Sequence, residues 1–247
     1  MMHESLRRVF VRLVVKKWLA SSATSWHSLP TPTGKPTALA AGLNADRLLL
    51  VGSGIAVGYG VKSHDLALAG QLARQLSELT GRGARVDVLV TDEMTANDVR
   101  DALTRRWLSS VDSIVATPGG IETLLLYPPR IWRSQIAAML DHVTEMAPAS
   151  LHIFLVGLPQ LPAIVRMPRF IGYVAQRSAR GLNAELRLLC AARLNTTFID
   201  FAPTELAGRG GTGRTYYHWA QLIAPLVAAE LEPHSAAQRA ARAPAKS

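Results

Sequence analysis

The chain has 247 residues, 49% hydrophobic and 18% charged, a length for one large domain or two small ones and a balance ordinary for a soluble globular core. Only 6% is aromatic, and no stretch has 18 unbroken apolar residues, which argues against a membrane-crossing helix. The single cysteine, Cys190 in "ELRLLCAARL", can form no internal disulfide and reads as a buried thiol in a reducing compartment. Net charge is +9, and almost half the excess sits in residues 1–20, where Arg7, Arg8, Arg12, Lys16 and Lys17 face Glu4 alone. The rest is mildly basic and has no dense Lys/Arg face with interleaved aromatics, so nucleic acid is not an expected partner.

In chain order, "MMHESLRRVFVRLVVKKWLA" begins basic, but Arg12 splits its apolar stretch, which disfavours a secretory signal. Two readings stand for this segment: a helix docked on the domain with solvated cations, or a peripheral contact with an anionic membrane through Arg/Lys and Trp18. Residues 21–42 are rich in Ser, Thr and Pro and read as an extended linker. Residues 1–45 are thus expected as a basic helix plus linker, 46–231 as the domain and 232–247 as a disordered tail. The missing signals place the protein in the cytoplasm, with the membrane surface as its second possible address.

Between the ends the pattern alternates. Nearly continuous apolar runs at 47–52, 85–91, 113–119, 151–157 and 196–201 predict strands buried on both faces of a parallel sheet. Helical segments are predicted at about 65–80, 95–109, 130–146, 170–193 and 214–231. The expected fold class is therefore α/β, a three-layer α/β/α sandwich around a five-stranded, mostly parallel sheet. In such sheets the site lies in the loops after the strands' carboxyl ends, here 52–60, 91–95, 117–128, 157–168 and 202–213.

The stretch "LLLVGSGIAVGYGVKSHDLALAGQLARQLSELTGRGARVDVLV" resembles the start of an SGNH (GDSL-type) hydrolase, with its Gly-Asp-Ser-Leu turn and "GQLA" helix. "TANDVRDAL", "VDSIVATPGG", "RIWRSQIAAMLDHV", "IFLVGLPQLP" and "YYHWAQLIAPLVA" extend the resemblance over residues 46–231, strongly in the first forty and diffusely afterwards. It implies a flavodoxin-like sandwich and hydrolysis or transfer of acyl groups by a serine nucleophile and a histidine base, with backbone amides, a glycine and an asparagine for the oxyanion. It implies no cofactor.

Matched position by position, those residues are missing. Gly52-Ser53-Gly54 stands where the family has Gly-Asp-Ser, so the nucleophile's place holds Gly54. The oxyanion glycine of the second loop is matched by Glu93, and Gly-x-Asn-Asp by Gly119-Gly120-Ile121-Glu122, which puts Ile121 at the asparagine. In the last loop Asp-x-x-His falls on Ala207 and Gly210, and no such motif occurs anywhere in the chain. A missing hydroxyl removes the nucleophile, and a missing histidine removes the base. A lost oxyanion donor costs about 3–4 kcal/mol of barrier, and an inward carboxylate at Glu93 would repel developing charge.

Ser53 has two readings: a nucleophile in a rebuilt site, or a cap for the turn, its side chain turned to the opposite face by the one-residue shift. His64, His142, His152 and His218 fall in capping, helical or strand contexts away from the expected site, and no metal-ligand motif is present. The loop "GRGGTGRTYYHW", with Arg209, Gly210, Thr212 and Arg214, is either a flexible loop with solvated arginines or a cradle for a small anion. Asp92, Glu93 and Glu122 are solvated loop residues, or a converging trio with one raised pKa. The proline-rich apolar loops 124–135 and 155–173 suit an acyl slot, a lid or a protein-partner surface. The expectation is a non-catalytic scaffold for an acyl ester, lipid, small anion or protein in the old cleft, with Ser53, Gly52, Gly54, Glu93, Gly119, Gly120, Ile121, Glu122, Arg209 and Gly210 around it. The alternative is a carboxylester hydrolase or acyltransferase working through Ser53.

Overall fold

A computed structural model describes residues 2–21, 28–159, 168–200 and 213–242, with side chains for 10–20, 28–159, 168–200 and 213–231. Six strands form one sheet: β1 Thr37–Ala40, β2 Asp46–Gly52, β3 Ala84–Val90, β4 Ser113–Thr117, β5 His152–Val156 and β6 Thr196–Ile199. Their order is β1-β3-β2-β4-β5-β6; β2 to β6 are parallel and β1 pairs antiparallel with β3. The sheet has six strands rather than the expected five, because β1 lies in the stretch read as linker. A four-residue strand with one buried face, Ala38 in and Leu39 out, leaves too little periodicity to stand out from its Pro/Thr-rich surroundings.

Eight helices are present among the described residues: α1 Met2–Ser21, α2 Leu68–Thr80, α3 Ala96–Ala102, α4 Arg105–Leu108, α5 Gly120–Leu124, α6 Pro129–Met146, α7 Arg169–Ala191 and α8 Gly213–Arg242. The one helix expected over 95–109 is two, since Thr104 is extended and lets both Leu103 and Leu108 reach the core. The Leu103 carbonyl freed by that break accepts from the His142 ring at 2.9 Å. The last helix continues to Arg242, past the start of the expected tail at residue 232.

Strand parity builds the three layers. Leu48, Leu50, Val115, Phe154 and Val156 point to one face, where Leu68, Leu72 and Leu76 of α2 and Tyr216, Trp219, Ile223 and Val227 of α8 cover them. Leu49, Val51, Ile114, Ala116, Ile153 and Leu155 point to the other, under α3, α4, α6 and α7. Leu48 to Val51 are completely buried, each contributing about 1.5–3 kcal/mol of transfer free energy. Cys190 packs in the second layer, and burial pushes its thiol up to about 11, as an inert core thiol requires.

A third apolar cluster decides where the N-terminal helix goes. Val11, Val15, Trp18 and Leu19 of α1 pack on Val57 and Tyr59 after β2, on Ile121 and Leu124 of α5, and on Ile171 and Ala175 of α7. Arg12 pins this contact, its Nε donating to the Leu125 carbonyl at 2.6 Å and its guanidinium lying 5.8 Å from the Tyr127 ring centre. The docked-helix reading of this segment therefore describes the structure, and Trp18, considered as a membrane anchor, is buried. No described helix is long and apolar enough to cross a membrane.

Candidate functional site

β2 ends in a turn that only this sequence's small residues allow. Gly52 has φ +128°, and a Cβ there would lie 2.6 Å from the Thr117 carbonyl oxygen. Ser53 follows in an extended conformation, then Gly54 at φ +64° opens a 3-10 turn through Ala56. The backbone of Ser53 is fixed to the end of β4 from both sides. Its amide donates to the Thr117 carbonyl at 3.2 Å, and Thr117 Oγ1 donates to its carbonyl at 2.9 Å.

The Ser53 side chain does neither of the things expected of it. It makes no capping hydrogen bond to the turn. Nor does it turn to the opposite face: Ser53 lines the cleft with Gly54 and Gly120, its Oγ 3.1 Å from where Gly120 would carry a Cβ. The hydroxyl is buried and has no hydrogen-bond partner among the described residues. A serine nucleophile needs a base within about 2.6–3.2 Å, and Ser53 has none among the described residues.

The cleft itself encloses about 760 Å³, counting the open space at its mouth. Its wall is apolar: Leu29, Ile55, Ile121, Val156, Leu158 and Trp219 surround Ser53, Gly54 and Gly120. Gly54, at the position where the resemblance implies the nucleophile, leaves open space beyond its Cα. Ile121, where it implies an amide donor, contributes hydrocarbon instead. Besides Ser53 and Thr117, the cleft has a polar side, where the Tyr59 hydroxyl donates to Asp92 Oδ1 at 3.1 Å and the Tyr216 hydroxyl donates to the Tyr59 carbonyl at 2.9 Å. Burial and the neighbouring carboxylate hold the Tyr59 phenol well above its ordinary range, so it stays protonated and donates.

The three acidic residues do not converge. Asp92 is the one at the cleft; Glu93 is exposed and absent from its wall. Glu122 is completely buried behind the cleft, where its Oε1 accepts the Ala96 amide at 2.8 Å at the start of α3. Burial raises its pKa, against the pull of that amide. Gly52 and Gly119 shape the loops from behind, a Cβ at Gly119 meeting Leu158 at 3.0 Å. Arg209 and Gly210, with most of the glycine-rich loop, lie outside the described residues. No group of three His, Cys, Asp or Glu side chains could hold a metal among the described residues.

The sequence reading did not single out Tyr59, Tyr216 or Trp219. Tyr216 and Trp219 are three apart on a helix, which places them on one face. Only the packing of α8 across the sheet puts that face at the cleft.

No family model matches the sequence, and no curated protein matches it. The fold has counterparts among solved structures. It is similar to the lipase Lip_vut3 from a goat rumen metagenome, with a TM-score of 0.58 and 13% identity over 72% of this chain and 96% of that one. TesA matches with a TM-score of 0.55 and 16% identity, over 76% of this chain and 99% of that one. AlinE4, an SGNH-hydrolase family esterase, matches at 0.50 and 16%, over 64% of this chain and 77% of that one. The chain thus carries the SGNH-hydrolase fold, and the residues in its cleft must speak for its chemistry.

Proposed function

We propose that this chain is a non-catalytic binder of a molecule with an apolar, acyl-like tail, held in the cleft at the carboxyl edge of its SGNH-hydrolase fold. One observation carries the reading. The cleft is open while its wall holds Gly54 and Ile121, and among the described residues the Ser53 hydroxyl is buried with no base beside it. A cavity lined by hydrocarbon gains by excluding water from an alkyl chain, at about 0.8 kcal/mol per buried CH2. The Asp92 carboxylate at the polar side disfavours an anionic head and leaves a neutral hydroxyl or ester head, which the Tyr59–Asp92 pair can meet by hydrogen bonding.

Two measurements on the purified chain test this. Titration calorimetry with a medium-chain monoacylglycerol is expected to show saturable binding, weakened at least tenfold when Ile121→Trp or Leu158→Trp fills the cleft. Two positions are used so that one poorly folded variant does not decide the matter. Short- and medium-chain p-nitrophenyl esters are expected to show no turnover above an inactivated control, with wild type and Ser53→Ala alike. Turnover lost in a folded Ser53→Ala variant would instead establish the rebuilt hydrolase.

A further inference from the structure

Two helix faces beside the cleft are apolar, basic and uncovered. On α1, steps of about 100° per residue put Phe10, Leu13, Lys16 and Ala20 on one side, opposite the buried Val11, Val15, Trp18 and Leu19. Phe10 is 63% and Leu13 62% exposed. On the first half of α7 the same geometry gathers Arg169, Phe170, Tyr173, Arg177 and Arg180 within about a third of the circumference, opposite the buried Ile171 and Ala175. Phe170 is 52% and Tyr173 62% exposed. Both faces border one seam, because Val11, Val15 and Trp18 share a cluster with Ile171 and Ala175, with Val14 and Val174 half-buried at its edge. That seam also contains Ile121, a wall of the cleft.

The charges on these faces differ from those at the far end of α7. Further along, Arg187 is bonded to Asp200 at 2.6 Å, Glu185 to Arg133 at 3.2 Å and, just past α7, Arg193 to Asp141 at 2.8 Å. Lys16, Arg169, Arg177 and Arg180 have no carboxylate partner among the described residues, and residues 168–182 contain no acid. An aromatic and aliphatic strip set among uncompensated cations is complementary to a surface that offers both hydrocarbon and negative charge.

We propose that this α1–α7 face is a docking surface for an anionic phospholipid bilayer. Phe10, Leu13, Phe170 and Tyr173 enter the headgroup–acyl boundary, while Lys16, Arg169, Arg177 and Arg180 meet the lipid phosphates. Neither contribution is sufficient alone: a few apolar side chains or a few cations give weak, reversible binding, and the combination gives stable association. Docked in this way, the face holds the seam, and Ile121 with it, against the lipid. The proposal is independent of what the cleft holds.

Flotation of the full chain with vesicles tests it. Binding is expected to phosphatidylcholine vesicles containing a third phosphatidylglycerol, and not to phosphatidylcholine alone, and it weakens as salt is raised. Replacing Arg169, Arg177 and Arg180 together by Gln lowers partitioning by about fivefold per charge. The pair Phe170→Ser and Tyr173→Ser abolishes binding while circular dichroism shows the fold retained, since both side chains project outward. Arg105→Gln with Arg106→Gln on α4, which leads into the amino end of β4, changes nothing. No flotation with anionic vesicles, equal flotation with neutral ones, or loss in the α4 variant equal to that on α7 overturns the proposal. So does salt-sensitive binding to duplex DNA in place of vesicles.

Discussion

Glu122 reaches from α5 to the amide of Ala96, 2.8 Å away, and satisfies a first-turn donor of α3 from a position with no exposed surface. This contact ties the loop after β3 to the loop after β4, and so holds two borders of the cleft together. Thr95 caps the same helix from the other side, exchanging hydrogen bonds with Asp98.

Because burial raises the Glu122 pKa above its ordinary 4.5, the folded state favours the neutral acid. Its contribution to stability is full below the unfolded value and is lost as pH rises through the folded one. Glu122→Gln keeps an acceptor for Ala96 and cannot ionise. Thermal unfolding should therefore show the variant more stable than wild type at pH 8, with the two curves converging towards pH 4. Glu122→Ala removes the acceptor as well and should be about 1–3 kcal/mol less stable than Glu122→Gln at every pH.

Gly54→Ser places a hydroxyl where the fold's hydrolases have their nucleophile, into open space but at φ +64°. The left-handed conformation costs about 1–2 kcal/mol for a residue with a Cβ. A hydroxyl without a base or an amide donor at Ile121 is expected to give neither a burst nor turnover with p-nitrophenyl acetate. A stoichiometric burst of p-nitrophenol would show that only the nucleophile had been missing.

Asp46 and Arg82 form a buried ion pair at 3.0 Å at the opposite edge of the sheet, with Thr80 also donating to Asp46. Burial outweighs the guanidinium and raises the Asp46 pKa. Arg82→Met leaves that carboxylate buried and should destabilise by about 3–5 kcal/mol in urea unfolding. Adding Asp46→Leu should recover most of the loss, as it removes the orphaned charge.

The sequence by itself determined the layers. Near-continuous apolar runs at Leu48–Val51, Ile114–Ala116 and Ile153–Val156 admit only strands covered on both faces, and the helices between them require a parallel sheet. The resemblance in residues 46–90 also placed Gly52-Ser53-Gly54 at the turn after the first parallel strand, because identity there is read directly. Packing across distant segments was another matter. Whether Ser53 faced the cleft depended on how the turn is fixed to Thr117, which no local rule contains. The separation of Asp92, Glu93 and Glu122 depended on one of them finding the Ala96 amide. The place of α1 depended on a seam assembled from four separate stretches of chain, which leaves Phe10 and Leu13 outside and buries Trp18. Local pattern fixes which residues can be buried; only the tertiary structure decides which surface does the burying.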